Sequence, residues 1–264
     1  MTFNIRAADL RALNSMTKYP SIPTYHSIDP KNGVLQEGQH EVDFTDLMVI
    51  GTEKVDGASA RMIFLPDGSW LIGSREELLT ARNDIVANPM LGIVDTLLEP
   101  MKHIANRLSV NDTIGVFYVE VFGHKKLPAW KQYGDGQLDF RLFDAAEYPD
   151  FERILSLPIE QIASWREHGG QEFLNENELQ VAAELNNLRL TPRLFEIDAA
   201  DLPTEIAPVR GFLEEHCALT RVGRNPTGRP EGIVLRAPGR EVIAKARFKD
   251  YDRTLSVLTG QPRR

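Results

Sequence analysis

The tetrapeptide Lys54-Val55-Asp56-Gly57 places a primary amine two residues before a carboxylate and a glycine, with the apolar run "SARMIFL" close behind. An amine attacks only after losing its proton. With an unperturbed pKa of about 10.4, roughly one lysine in a few thousand is free amine at pH 7. A nucleophilic lysine therefore needs desolvation or neighbouring positive charge. Other charges stand inside apolar stretches: Glu120 in "GVFYVEVFG", Glu231 opening "EGIVLR", and Lys245 and Arg247 alternating in "VIAKARF". Side chains two apart on a strand share a face, so Lys245 and Arg247 point the same way. Buried charge is costly unless it is paired or bound to something charged. For any one of these residues alone a structural ion pair is the better explanation. Two acids and three cations on separate strands call for a common explanation.

The segments carrying these residues predict strands at 47–50, 59–65, 69–73, 114–122, 138–144, 231–236 and 241–248, with "PDG" at 66–68 as a tight turn. Residues 190–197 are expected to be extended. Between the strands, "NPMLGIVDTLLEPMKHIANRLS" has apolar residues at three- and four-residue steps and predicts an amphipathic helix. Asn88 is its expected N-cap, Pro89 its first position and Pro100 a kink. Helices are also expected over much of 150–187, over 203–219 and near 251–258, and "GRNPTGRPEG" at 223–232 as a loop. Strands in runs, without a steady βαβ alternation, indicate an α+β fold with mostly antiparallel sheet.

Composition narrows the function. There are 30 Lys plus Arg against 38 Asp plus Glu, a net charge of −8, which argues against a protein coated in basic surface for non-specific nucleic-acid binding. A local basic cleft is still compatible with it. The single Cys217 makes no internal disulfide, and a reducing, cytoplasmic setting is expected. No apolar run is long enough to span a membrane, and the N-terminus does not read as a signal peptide. GxxxxGK[ST], a helix-opening GxGxxG and HExxH are all missing, and the six histidines are scattered.

In order and spacing these segments resemble the covalent nucleotidyltransferases: ATP-dependent RNA and DNA ligases and mRNA capping enzymes. "KVDG" is similar to their nucleophile motif, "IGSR" ending at Arg75 to the next, and "FYVEVFG" to the glutamate strand. "DFRLFD" with Phe143 matches the aromatic strand, "EGIVLR" the glutamate-glycine strand, and "AKAR" the final pair of cations. The long interval between Phe143 and Glu231, with "TKYPSIPTYH" and "KARFKDY" near the two ends, resembles the RNA ligase branch. The implied fold is one nucleotidyltransferase (adenylation) domain over residues 1–264, ATP-grasp-like, with helices flanking the sheets.

The resemblance also implies roles. Lys54 takes AMP through a phosphoramide bond, while Lys245 and Arg247, with Mg²⁺ (or Mn²⁺), supply positive charge to the amine and the α-phosphate. Arg75 and Glu120 hold the ribose hydroxyls, and Phe143 stacks on adenine. Asp56 and Glu231 place the metal through its water shell. Glu53 reads the base edge. The implied activity is RNA ligation: enzyme-AMP formation, AMP transfer to a 5′-phosphate, then attack by a 3′-OH. The implied partner is RNA with those ends, in single strands or a nicked duplex.

Two features depart from the family pattern. Five residues after the nucleophile, where ligases often carry Asn or Arg, stands Ser59, with Arg61 two further on, so recognition of the 5′-phosphate differs. The sequence ends at Arg264, soon after Arg247, so no OB-fold or helical accessory domain is expected; self-adenylylation should then survive, with sealing weak, narrow in substrate or aided by an accessory protein. A minimal DNA ligase, a GTP-using capping enzyme, and a pseudoenzyme that binds nucleotides or RNA ends without chemistry are the alternatives that labelled nucleotides would separate.

Overall fold

A computed structural model describes residues 3–81, 84–88, 90–108, 112–127 and 129–260. In chain order the elements are α1 (Leu10–Thr17), β1 (His26–Ile28), β2 (Leu35–His40), β3 (Met48–Lys54), β4 (Ala58–Phe64), β5 (Trp70–Ser74), β6 (Thr80–Ala81), β7 (Asp84–Ile85), α2 (Ile93–Ala105), β8 (Ile114–Phe122), β9 (Asp139–Tyr148), α3 (Phe151–Leu155), α4 (Ile159–Glu167), β10 (Glu172–Phe173), α5 (Glu176–Leu185), β11 (Arg193–Asp198), α6 (Ile206–Cys217), β12 (Gly232–Arg236), β13 (Ile243–Arg247) and α7 (Phe248–Thr259). Every pairing between these strands is antiparallel, as the α+β reading expects. No described helix is long and apolar enough to cross a membrane.

The chain divides into two compact units. One comprises Met1–Ser21, Gly57–Trp130 and Gly136–Leu190; the other comprises Ile22–Asp56, Lys131–Asp135 and Thr191–Arg264.

The first unit is built on a five-stranded sheet in the order β10-β9-β8-β4-β5. Both of its faces are covered, which explains the unbroken apolar runs in β4 and β8. Ala60, Met62, Phe64, Phe117, Val119 and Val121 pack under α2 and α5. Their neighbours Ile63, Leu65, Ile114, Val116 and Tyr118 pack under α1, α3 and α4. Helix α2 buries Ile93, Val94, Leu97, Met101 and Ile104, each worth about 1.5–3 kcal/mol relative to exposure. It starts five residues after the expected cap: Gly92, not Asn88, is the N-cap. Leu91 and Gly92 both have φ near +70°, which breaks the helical path before Ile93. Pro89 lies outside the described residues, and the helix continues on both sides of Pro100.

Arg61 is the main polar group inside this unit. It is 1% exposed, yet all three of its nitrogens donate: to Ser74 O, Asn14 O, Thr17 Oγ1 and Asn14 Oδ1, at 2.8–3.0 Å. Burial lowers its pKa to about 10, so it is charged at neutral pH. It fastens α1 to the sheet.

The second unit has a four-stranded sheet in the order β11-β3-β12-β13. Val49, Ile233, Leu235, Ala244 and Ala246 face Val209 and Leu213 of α6 and Phe248 and Tyr251 of α7. The β1–β2 hairpin, unforeseen from sequence, adds Tyr25 and Leu35 to that core. His26 is wholly buried beside it, with Nδ1 2.9 Å from Tyr251 Oη and Nε2 2.9 Å from the Thr204 carbonyl. A carbonyl only accepts, so Nε2 carries the proton and Nδ1 accepts from the tyrosine.

Candidate active site

Strand parity decides which charges meet in the second unit. Lys54 is opposite Gly232 in the β3–β12 ladder, and Gly232 is opposite Arg247 in the β12–β13 ladder. Lys54, Lys245 and Arg247 therefore share the sheet face turned away from α6 and α7. Glu231 immediately precedes this row; its N–H donates to Lys54 O and its own carbonyl accepts from Phe248 N–H, both at 3.0 Å. Gly232 has no room for a side chain, since a Cβ there would lie 2.0 Å from Ala246 O.

The Glu231 carboxylate gathers three cations. Lys54 Nζ donates to its Oε2 at 2.5 Å, while Lys249 Nζ and Arg247 Nη1 lie 3.4 and 3.5 Å from its Oε1. Burial alone would raise the Glu231 pKa, but the charge and hydrogen bond of Lys54, with Lys249 and Arg247, outweigh it and hold the carboxyl below its ordinary value. Arg247 is also fixed by the buried Asp250, at 2.6 Å. Lys249 lies in the first turn of α7, beyond the strand alternation that marks Lys245 and Arg247, so the sequence pattern alone does not single it out. Lys245 Nζ donates to the Ile22 carbonyl at 2.6 Å, and its main chain pairs with Pro23 and Tyr25, so this lysine also binds the 22–25 segment to the edge of β13.

Asp56 is half-buried two residues beyond Lys54. Burial and the Glu231 charge push its carboxyl above the usual value, against Lys54 and Lys249. Asp56 and Glu231 therefore lie within reach of each other's charge. Among the described residues no group of three or more His, Cys, Asp or Glu could share an ion. Carboxylate oxygens are the donor type Mg²⁺ takes, and with one or two of them the ion keeps most of its water.

Glu53 points the other way, because adjacent strand residues face opposite sides. It is 1% exposed and accepts from Thr220 Oγ1 and, at 2.7 Å, from Arg221 N–H. These bonds tie down the 220–221 loop from inside the fold.

In the first unit, Glu120 is partly buried and accepts from Gly57 N–H at 3.0 Å. A Cβ at Gly57 would lie 2.2 Å from Val121 O, so the motif's glycine is dictated by the approach of β8. Glu120 shares its sheet face with Tyr118 and pairs across β4 with Ser59. Phe143 lies on that face, half-buried, its ring edge-to-face with Tyr19 at 5.0 Å. Arg75 follows β5 and is exposed, 3.6 Å from Glu76.

The arrangement offers an amine held by a carboxylate, extra cations around that carboxylate, and a second acid nearby. This is a set suited to phosphate chemistry. The RNA ligase family model matches residues 48–249, and the chain belongs to the RNA ligase family. Among solved structures it is similar to Naegleria gruberi RNA ligase with PPi, at 16% identity and a TM-score of 0.56. It is also similar to mutants of that enzyme with ATP and Mn, at 15% and 0.56, and with AMP and Mn, at 14% and 0.54. Each match covers 88% of this chain and 62% of that one. At such identities the likeness is one of fold, and the chain spans about 62% of the length of those structures. A comparison with curated proteins gives no match.

Proposed function

We propose that the chain is an ATP-dependent RNA ligase working through a lysyl-AMP intermediate, with residues 1–264 acting as one adenylation domain in a reducing cytoplasm. The observation carrying this reading is the row Lys54–Gly232–Arg247, with Glu231 ion-paired to the lysine at 2.5 Å.

In the proposed first step, the Nζ–Glu231 contact opens, the ammonium gives up a proton to solvent, and Nζ attacks the α-phosphorus of ATP. An N–P bond forms and the P–O bond to pyrophosphate breaks. Arg247 and Lys245 stabilise charge developing on the phosphate oxygens. A divalent ion, held by Asp56 and Glu231, would supply further positive charge to those oxygens. Arg75 and Glu120 hold the ribose hydroxyls and Phe143 stacks on adenine. The adenylyl group then passes to an RNA 5′-phosphate. Attack by a 3′-OH joins the ends and releases AMP.

The test is incubation with Mg²⁺ and α-³²P-labelled ATP or GTP, followed by a denaturing gel beside Lys54→Ala. Label from ATP on the wild type alone, and sealing of single-stranded or nicked duplex RNA, is the expected result. Label from GTP would move the chain to the capping branch. No label from either nucleotide would sink the mechanism.

A further inference from the structure

Residues 220–230, "TRVGRNPTGRP", hold three arginines and no acid, in a chain of net charge −8. They are bonded to the 131–134 segment. Arg224 N–H donates to Tyr133 O, Thr227 N–H to Gln132 O and Thr227 Oγ1 to Lys131 O, each at 3.0 Å. The approach is close enough to need glycine on both sides: a Cβ at Gly134 would lie 1.7 Å from Arg224 O, and one at Gly223 would lie 2.3 Å from Tyr133 O.

Both segments are anchored to residues flanking Lys54. Glu53 holds Thr220 and the Arg221 N–H, while the Tyr133 hydroxyl accepts from Asp56 N–H at 2.6 Å. Lys131, Arg221 and Arg224 on these segments are all exposed, as are the polar residues Asn225 and Thr227. The acid facing Arg224 is Asp135, 3.6 Å from its Nε in an exposed pair. Such pairs are weak and screened, so a phosphate can displace the carboxylate.

We propose that this double segment, residues 131–135 with 221–227, is a docking surface for the phosphodiester backbone of the RNA strand being joined. The inference rests on the RNA ligase reading and locates where that substrate is gripped. Guanidinium and ammonium groups on a rigid support suit phosphate contacts that position a strand without reading its sequence. The anchoring through Glu53 and Asp56 fixes the surface relative to the nucleophile.

The test compares wild type with Lys131→Ala/Arg224→Ala. Binding of a fluorescein-labelled, 5′-phosphorylated single-stranded RNA is followed by anisotropy over a range of salt, and labelling by α-³²P ATP is measured in parallel. Each lost phosphate contact should flatten the slope of log K against log salt by about 0.7, so the double variant should lose about 1.4 in slope and about 20-fold in affinity at about 0.1 M salt. Labelling from ATP should be unchanged, and Lys131→Arg/Arg224→Lys should restore RNA binding. Unchanged slope and affinity would overturn the proposal. So would lost ATP labelling with RNA binding intact, which would assign the cations to the nucleotide, or a wild type that labels yet binds no RNA. A wild type that binds RNA through these residues but takes no label would keep the surface and remove the ligase reading.

Discussion

Lys54 and Glu231 meet at 2.5 Å although 176 residues separate them in the chain, because Gly232 is the cross-strand partner of Lys54 and Glu231 is the next residue back. The same carboxylate is thus the lysine's tether and part of the proposed metal site. Glu231→Gln keeps the shape and removes the charge. We expect the rate of chain labelling from ATP to fall by about 100-fold, the scale of losing one preorganised electrostatic partner. Single-turnover labelling checks this; a rate within about twofold of wild type, far below that scale, would remove Glu231 from the chemistry.

Lys249 is the third cation at Glu231 and is 58% exposed at its side chain. Exposed pairs add little stability, so Lys249→Ala should change the unfolding free energy by less than about 0.5 kcal/mol. Labelling from ATP should nonetheless slow by about tenfold if the charge serves the phosphates, and Lys249→Arg should recover most of it. Parallel urea melts and labelling gels separate the two effects.

Arg61 answers to the fold. Arg61→Met fills the space but leaves the Ser74 and Asn14 carbonyls and the Thr17 hydroxyl without their donors. The expected cost is about 3 kcal/mol in urea unfolding, with labelling per folded molecule preserved. A variant as stable as wild type would mean that α1 is held by packing alone.

Stability should also fall with acid through His26. Burial lowers its pKa, helped by His40 and opposed by the Thr204 hydrogen bond. Above the unfolded value of about 6.5 both states are neutral and the stability is fully present. As pH drops, the unfolded chain binds a proton first, and stability is lost until the folded pKa is passed. His216 is lowered too, again with burial as the largest cause, and adds to the same slope. Urea midpoints between about pH 7.5 and 5.5 should therefore fall less steeply in His26→Gln than in wild type. Parallel slopes would assign the loss elsewhere.

What could be read from the sequence followed local pattern. β4, β8, β12 and β13 are apolar or alternating runs with glycine or charge at fixed places, and they emerge close to the expected bounds. The face shared by Lys54, Lys245 and Arg247 follows from counting by twos once the strands are paired. What escaped depended on tertiary placement. β1 and β2 are short and polar, and their apolar residues gain meaning only against α7. The start of α2 was set by Leu91 and Gly92 at positive φ rather than by the Asn-Pro signal upstream. Glu53 looked like a neighbour of the site, yet parity turns it to the helix side, where Thr220 awaits it far along the chain.

The place of β3 in its sheet has a consequence for synthesis. Its two neighbours, β11 and β12, begin at Arg193 and Gly232, so both edges of the strand bearing Lys54 stay unpaired until those residues, more than a hundred positions later, are made. Such late, long-range closure slows folding and exposes strand edges to wrong partners. It also means that a ribosome-bound fragment carries the lysine without Glu231 or Arg247. A fragment released before Glu231 is made would hold Lys54 with neither the carboxylate that tethers it nor the cations proposed to activate it.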